Sequence, residues 1–181
     1  PSSHALHFDG SSKGDIPDFG VLFNNPATLE AYVKPQAAKG SVMNKVGRGF
    51  DLGINEAGLW EFSRGKITVK SSEKAELNKR VHIAGVYTGT ELQIYLDGKL
   101  AGRNLKLVGA IATKKTDISL GDEGFVGTID EIRVSKSARY HQDFAPAGRL
   151  ASDQDTVALY HCDEGQGDVL KDSSGNGHHG K

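Results

Sequence analysis

The chain has 181 residues, and its 22 lysines and arginines nearly balance 23 aspartates and glutamates, leaving a formal net charge of −1. That balance gives no electrostatic case for nucleic acid or an anionic membrane as partner. No stretch reads as a transmembrane span or a signal peptide. The length suits one domain over 1–181, and 23 glycines with 7% aromatic content point to many short strands joined by tight turns. The single cysteine, Cys162, cannot form an internal disulfide and reads as a small buried apolar residue.

Taken in order, Ala5-Leu6-His7-Phe8 alternates with Leu6 and Phe8 inward and then turns at Asp9-Gly10. Gly14–Pro17 reads as a short edge strand that Pro17 ends. Thr28–Pro35 is the clearest strand of the first half, with Leu29, Ala31 and Val33 on one face and Glu30, Tyr32 and Lys34 on the other. A meander of short strands follows at Ser41–Lys45, Phe50–Ile54, Leu59–Ser63 and Lys66–Lys70. Turns at 46–49, 55–58 and Arg64-Gly65 separate them. Lys70–Glu76 reads as a solvated loop. Val81–Tyr87 pairs with Glu91–Lys99 across Thr88-Gly89-Thr90, and Asp97-Gly98 turns into Lys99–Arg103. Asp117–Leu120 is a further strand. No stretch shows ten residues of helical period, so strands at this spacing indicate an all-β, two-sheet antiparallel sandwich.

The stretch Phe125–Ser135 is β-rich, but its apolar phase changes partway. Phe125 and Ile129 share one phase, Ile132 and Val134 the other, which predicts a β-bulge at about Asp130-Glu131. In a regular pleat Glu131 and Arg133 form an exposed ion pair on one face. The tail contains Val157–Cys162, in which Tyr160 and Cys162 are the better candidates for the core.

Together with Ser137-Ala138-Arg139-Tyr140 and Phe144-Ala145-Pro146, the Phe125–Ser135 stretch resembles the closing strand of laminin G-like domains of the concanavalin A-like lectin/glucanase superfamily. Three further motifs stand in the matching order. Ala5–Gly10 resembles the early family strand, Leu29–Pro35 its usual apolar-acid-Ala-aromatic-Val-Lys-Pro strand, and Val81–Tyr87 with Leu96–Lys99 its central hairpin. The resemblance covers nearly the whole chain and implies a jelly roll. One feature departs from the simplest pattern. Leu159–Gly165 with Asp172–Gly177 is similar to a segment that often opens such a domain, yet here it closes the chain. Either a second repeat begins there, or residues 156–181 fold back as a closing strand and turn. The second is expected, because a sandwich lacking an inner strand exposes an unpaired edge.

Four chemistries come into view. The resemblance implies a structural calcium ion near the first and last strands, pointing to Asp130 and Asp163, with Asp9 before the Gly10 turn as a third candidate. A hard cation of this kind wants several oxygen ligands, whereas turn-forming, solvated acids are the plainer reading. Sugar binding needs aromatic faces beside planar polar groups. Tyr32, Trp60, Tyr87 and Tyr95 are the candidates, Tyr32 and Tyr95 lying opposite the apolar phase of their strands. Hydrolysis by the glucanase branch needs a pair of glutamates on one strand. Ile129-Asp130-Glu131-Ile132 offers one aspartate and one glutamate on opposite faces. The histidines show no metal-protease spacing, and neither a phosphate loop nor a nucleophile elbow is present.

These observations lead to a non-catalytic recognition module for carbohydrate or a protein partner, with no membrane insertion of this segment. It is expected to be carried on a larger extracellular, cell-surface or periplasmic protein. The alternatives are a glycoside-active enzyme and a purely structural spacer domain.

Overall fold

The structure, a computed structural model, describes residues 4–20, 22–47, 49–106, 109–111 and 115–181. Arg48, in the turn at 46–49, lies outside them. The strands in chain order are β1 (Leu6–Asp9), β2 (Gly14–Ile16), β3 (Ala27–Pro35), β4 (Gly40–Lys45), β5 (Phe50–Ile54), β6 (Leu59–Arg64), β7 (Ile67–Lys74), β8 (Val81–Tyr87), β9 (Leu92–Leu96), β10 (Lys99–Asn104), β11 (Ile118–Asp122), β12 (Val126–Ser135) and β13 (Thr156–Tyr160). Among the described residues the helical content is one 3-10 turn at Leu22–Asn24. The strands build a 7-stranded sheet ordered β1-β12-β3-β8-β9-β10, with β13 also on β12, and a 6-stranded sheet ordered β2-β11-β4-β5-β6-β7. All pairings are antiparallel, giving the two-sheet jelly roll that the alternation predicts. β7 runs further than expected. Its ladder continues across a bulge to Leu59↔Lys74, so the polar run from Lys70 to Lys74 is strand rather than loop.

The core lies between the sheets. Leu29, Val33, Ile83 and Ile129 of the larger sheet face Met43, Leu52, Phe62 and Leu120 of the smaller, all with no exposure. Burying each such side chain is worth roughly 1.5–3 kcal/mol. On one flank β10 abuts β7, where Asn104 Nδ2 donates to the Thr68 carbonyl at 2.8 Å. The other flank is closed by the tail.

β12 explains how. β3 pairs along one side of it from Gly127 to Ser135. The other side is shared end to end, by β1 over Val126–Ile129 and by β13 over Ile132–Ser135. The tail strand therefore lines up with the strand carrying Leu6 and Phe8, both held by β12, and Tyr160 and Cys162 are buried as expected. Beyond it Tyr160 bridges Asp172, and Lys181 exchanges two backbone hydrogen bonds, at 2.6 and 2.9 Å, with Asp15 of β2 in the other sheet. The tail thus ties the two sheets together across their open edge.

The bulge falls where the phase change places it. Asp130 pairs Tyr32 and Arg133 pairs Glu30, so β12 carries one residue more than β3 across this step, and Glu131 takes a positive φ of 49°. The expected exposed Glu131–Arg133 pair does not exist. Glu131 is 2% exposed and turns to the junction of β1 and β13, accepting from Leu150 N at 2.7 Å and lying 2.9 Å from His161 Nδ1. Arg133 instead bonds Glu30, with Nε 2.8 Å from Oε1.

After β12 the chain doubles back as an irregular strap over the outer face of the larger sheet. Thr28 Oγ1 donates to the Ser137 carbonyl, Phe144 N to the Gly98 carbonyl and Tyr32 OH to the Ala147 carbonyl. Gly98 is required there, since a Cβ would stand 1.9 Å from the Phe144 carbonyl oxygen. Under the strap Ala84, Val86 and Tyr95 form a second apolar cluster with Ala138, Tyr140 and Phe144. Beside it Glu30 has no exposure. Its carboxylate meets Arg133, His82 Nε2 at 2.9 Å and the Tyr140 hydroxyl at 2.7 Å. Burial alone raises the Glu30 pKa, but the His82 hydrogen bond and the Arg133 charge outweigh it and hold the carboxyl below its ordinary value.

Two outcomes follow for stability. Deleting residues 156–181 removes a ladder and buried side chains together, and is expected to lower urea-unfolding stability by several kcal/mol; a truncated chain that melts within a couple of degrees of the intact one contradicts the closure. Glu30→Ala leaves Arg133 buried without its partner and should cost about 3–5 kcal/mol, against about 1 kcal/mol for Tyr140→Phe. A loss below 1 kcal/mol in Glu30→Ala means that the strap does not depend on this carboxylate.

Candidate functional site

None of the four aromatic candidates presents a face to a ligand. Tyr32 and Tyr95 do point away from the inter-sheet core, as their phase predicts, but the strap covers them and they are 8% and 0% exposed. Arg80 also stacks on Tyr32, 3.7 Å from its centroid. Trp60 and Tyr87 belong to the inter-sheet core, 2% and 9% exposed, and Arg64 lies 4.3 Å over the Tyr87 ring.

The three aspartates do not fit a shared calcium ion. Asp9 pairs with Val126 and so lies four residues, roughly 13 Å at the usual strand rise, from Asp130 along β12. One Asp9 oxygen accepts from the backbone and hydroxyls of Ser11 and Ser12 at 2.9–3.0 Å, and these donors hold its carboxyl well below the usual range. Asp130 is engaged by Arg80 at 3.2 Å and by the Glu131 N–H at 2.9 Å. Asp163 accepts from Arg149, whose other nitrogen reaches Glu131. Asp130 and Asp163 are therefore part of an alternating charge cluster around the bulge. Among the described residues no group of three or more His, Cys, Asp or Glu side chains is arranged to hold a metal ion.

With the strap covering Glu30, Tyr32, Ala84, Val86 and Tyr95 on the larger sheet, the six-stranded sheet offers a face without such a strap. Cross-strand register lays out its side chains in rows. One runs Asp15, Ser119, Asn44, Asp51, Ser63, Thr68. The next runs Asp122, Ser41, Gly53, Glu61, Lys70. Every member is small or polar. Two clefts, of about 300 and 250 Å³, adjoin over this face and share Asn44 and Asp51. In the adjoining row Gly53 admits no side chain, since a Cβ there would stand 2.5 Å from the Gly40 carbonyl oxygen.

Asp51 is the unusual group. Ser41 lies beside its carboxylate, and Oδ1 is buried with no hydrogen-bond partner. Burial, followed by the charges of Glu123, Glu61 and Asp122, pushes its pKa up to about 6. Asn44 lies directly across from it, and Glu61 is held by Asn55 Nδ2 at 2.8 Å. Paired planar amide and carboxylate groups on a shallow floor suit vicinal hydroxyls, which both donate and accept. Sequence reasoning missed this site. The signals available were an aspartate within a strand, where that residue is disfavoured, and a glycine in the same strand's interior, which marks a close backbone approach.

A further cleft, of about 470 Å³, lies between β1 and the tail loop and includes His4, His7, Glu164 and Lys181. Its lining also includes the buried Cys162, which takes a positive φ of 56° and whose thiol burial holds well above its ordinary pKa.

Two antiparallel sheets packed face to face in this strand order form a jelly roll of the concanavalin A-like class. The chain belongs to the laminin G-like branch of the concanavalin A-like lectin/glucanase superfamily, whose family model matches residues 8–144. A search of curated protein sequences returns no match. Among solved structures, one from Bacteroides ovatus described as a candidate carbohydrate-binding protein superposes with a TM-score of 0.81 at 18% identity, covering 99% of this chain and 58% of that one. The chain thus spans less than two thirds of that structure's length. The CBM40 module of a Ruminococcus gnavus sialidase, solved with α2,3-sialyllactose bound, gives 0.59 at 13% identity, covering 77% of this chain and 93% of that one. A heptameric pentraxin from Limulus polyphemus gives 0.57 at 13%, covering 74% and 76%. At these identities the likeness shows the fold. No helix among the described residues is long and apolar enough to cross a membrane.

The raised Asp51 pKa fixes a pH signature. The unfolded carboxyl ionises near 3.8 and the folded one near 6, so the folded state binds more protons between these values. Stability therefore falls as pH rises through that window, and the penalty is complete above it. Asp51→Asn is expected to gain on the order of 2–3 kcal/mol at pH 8 and little at pH 4. Equal gains at both pH values, read from urea midpoints, mean that the carboxyl titrates normally.

Proposed function

We propose that the domain is a non-catalytic carbohydrate-recognition module, carried on a larger extracytoplasmic protein, that takes its ligand in the groove over Asn44 and Asp51. The observation that carries this reading is the Asp51 carboxylate. It is half-buried at the meeting of two clefts, destabilises the fold while ionised, and keeps an oxygen free of hydrogen bonds. Strained titratable groups in clefts are the expected mark of a site. The resemblance to a candidate carbohydrate-binding protein and to a sialidase-associated binding module supports the same reading.

One observation favours a hydrolytic second reading. Asp51 carries the raised pKa of a general acid, and Glu61 stands on the diagonal of the neighbouring strand, roughly 7–8 Å away by sheet geometry. Glu61, however, is already engaged by Asn55 and has Lys70 3.8 Å away, which leaves no free base. Asp130 and Glu131 offer no alternative, since both are bound to protein donors and largely buried.

A glycan array probed with the intact domain is expected to give binding that Asn44→Ala or Asp51→Ala reduces by at least about tenfold, the loss of 1.4 kcal/mol or more. Circular dichroism should show both variants folded. Absence of any bound glycan, or variants that bind like the wild type, overturns the reading. Reducing-sugar release that disappears in Asp51→Asn converts the module into an enzyme.

A further inference from the structure

The groove has a sign as well as a shape. The charges acting most strongly on Asp51 are three carboxylates, Glu123, Glu61 and Asp122. They arrive from separate elements. Asp122 ends β11, Glu123 follows in the turn with a positive φ of 54°, and Glu61 comes from β6 on the far side of β5. Glu56 adds a further acid to the wall of the larger cleft. Of the nearby cations, Lys45 is tied up by Asp18, Lys13 reaches Ser119 at 3.5 Å, Lys39 is exposed, and Lys70 is 56% exposed and stands 3.8 Å from Glu61. Flexible, hydrated ammonium groups of this kind offset little of the field inside a cleft.

Resting on the groove as the glycan site, we infer that it selects uncharged glycans and rejects those that carry carboxylate or sulfate. A neutral sugar supplies hydroxyl donors to the carboxylate and amide oxygens that the groove exposes. An acidic sugar brings acceptors to a place already crowded with acceptors, and sheds its water next to like charges. Specificity then comes from repulsion as much as from contact. This sets the groove apart from the CBM40 module, solved with a sialylated ligand, that shares the fold.

The experiment uses the intact domain on a panel of neutral oligosaccharides printed beside the same backbones carrying sialic acid or uronic acid, and uronates beside their methyl esters. The expected result is neutral binding that Asn44→Ala abolishes, with each acidic counterpart at least about tenfold weaker at low salt. That gap should narrow at high salt and in the combined variant Glu61→Gln, Asp122→Asn, Glu123→Gln. Acidic and neutral counterparts bound equally, still dependent on Asn44, overturn the charge selection and leave the groove reading standing. No glycan bound, or binding indifferent to Asn44→Ala, overturns the groove reading and the selection with it.

Discussion

On the outer face of the seven-stranded sheet, the Glu30 carboxylate can lie out of reach of water because Arg133, His82 and Tyr140 fill its hydrogen-bonding positions. Unpaired, a carboxylate in that place would cost several kcal/mol. The compensation has a direction. Tyr140 belongs to the strap, and Arg133 also donates to the Ala151 carbonyl at 2.8 Å, so the charge is satisfied only with the strap lying across the sheet. Once it lies there, Tyr95 and Tyr32 pack against strap atoms and the middle of that face is closed to ligands. The other sheet has no such cover, and its small polar rows remain open.

The bulge in β12 is what allows this pairing. Ile129 faces the inter-sheet core, so a regular strand would send residues 131 and 133 inward and place an arginine among Leu29, Ile83 and Ile94. The extra residue at Glu131 switches the phase, so that Ile132 and Val134 stay inside while Arg133 reaches outward to Glu30. Glu131 itself is left at the break between β1 and β13. There its carboxylate accepts from the Leu150 N–H and meets His161, so the end of the strap and the start of the tail are anchored at one point. One irregularity of the backbone thus positions three elements that are far apart in sequence.

The sandwich was legible in the sequence because its signals are local. Period-two alternation in Thr28–Pro35 and Leu92–Leu96, and turns such as Asp97-Gly98, depend only on neighbouring residues. The bulge was legible for the same reason, since Ile129 and Ile132 cannot share a face of a regular strand. The strap's role was not. A row such as Glu30-Tyr32 or Gln93-Tyr95 alternates in the same way whether its outer face meets water or a crossing segment, and the segment that covers it comes about 110 residues after Glu30 in the Tyr140 contact. The candidate groove was hidden by ordinariness. Asn44, Asp51 and Ser63 are what any solvent-facing row of an antiparallel sheet looks like, and only three-dimensional burial distinguishes Asp51 from its neighbours.

The contrast between the buried acids bears on the groove. Glu30 is surrounded by donors. Glu131 accepts a backbone N–H, and Asp172 accepts from Leu159, Ser174 and His178. Among these acids the fold supplies donors generously, because an unsatisfied buried acceptor costs about 1–3 kcal/mol. Asp51 sits on a regular strand next to Asn44, Ser63 and Ser41, all of which carry donors, yet one of its oxygens has none. Rotating a neighbouring amide or hydroxyl toward it would be a small adjustment compared with the strap and bulge that serve Glu30. His82 Nδ1 and Thr116 Oγ1 are buried without a partner as well, but Asp51 is the one of the three that borders both clefts over the six-stranded sheet. In the proposed complex the ligand's hydroxyls meet the accessible part of Asp51 and the Asn44 amide across from it, so that the strained carboxylate and the bound glycan share one place on the sheet.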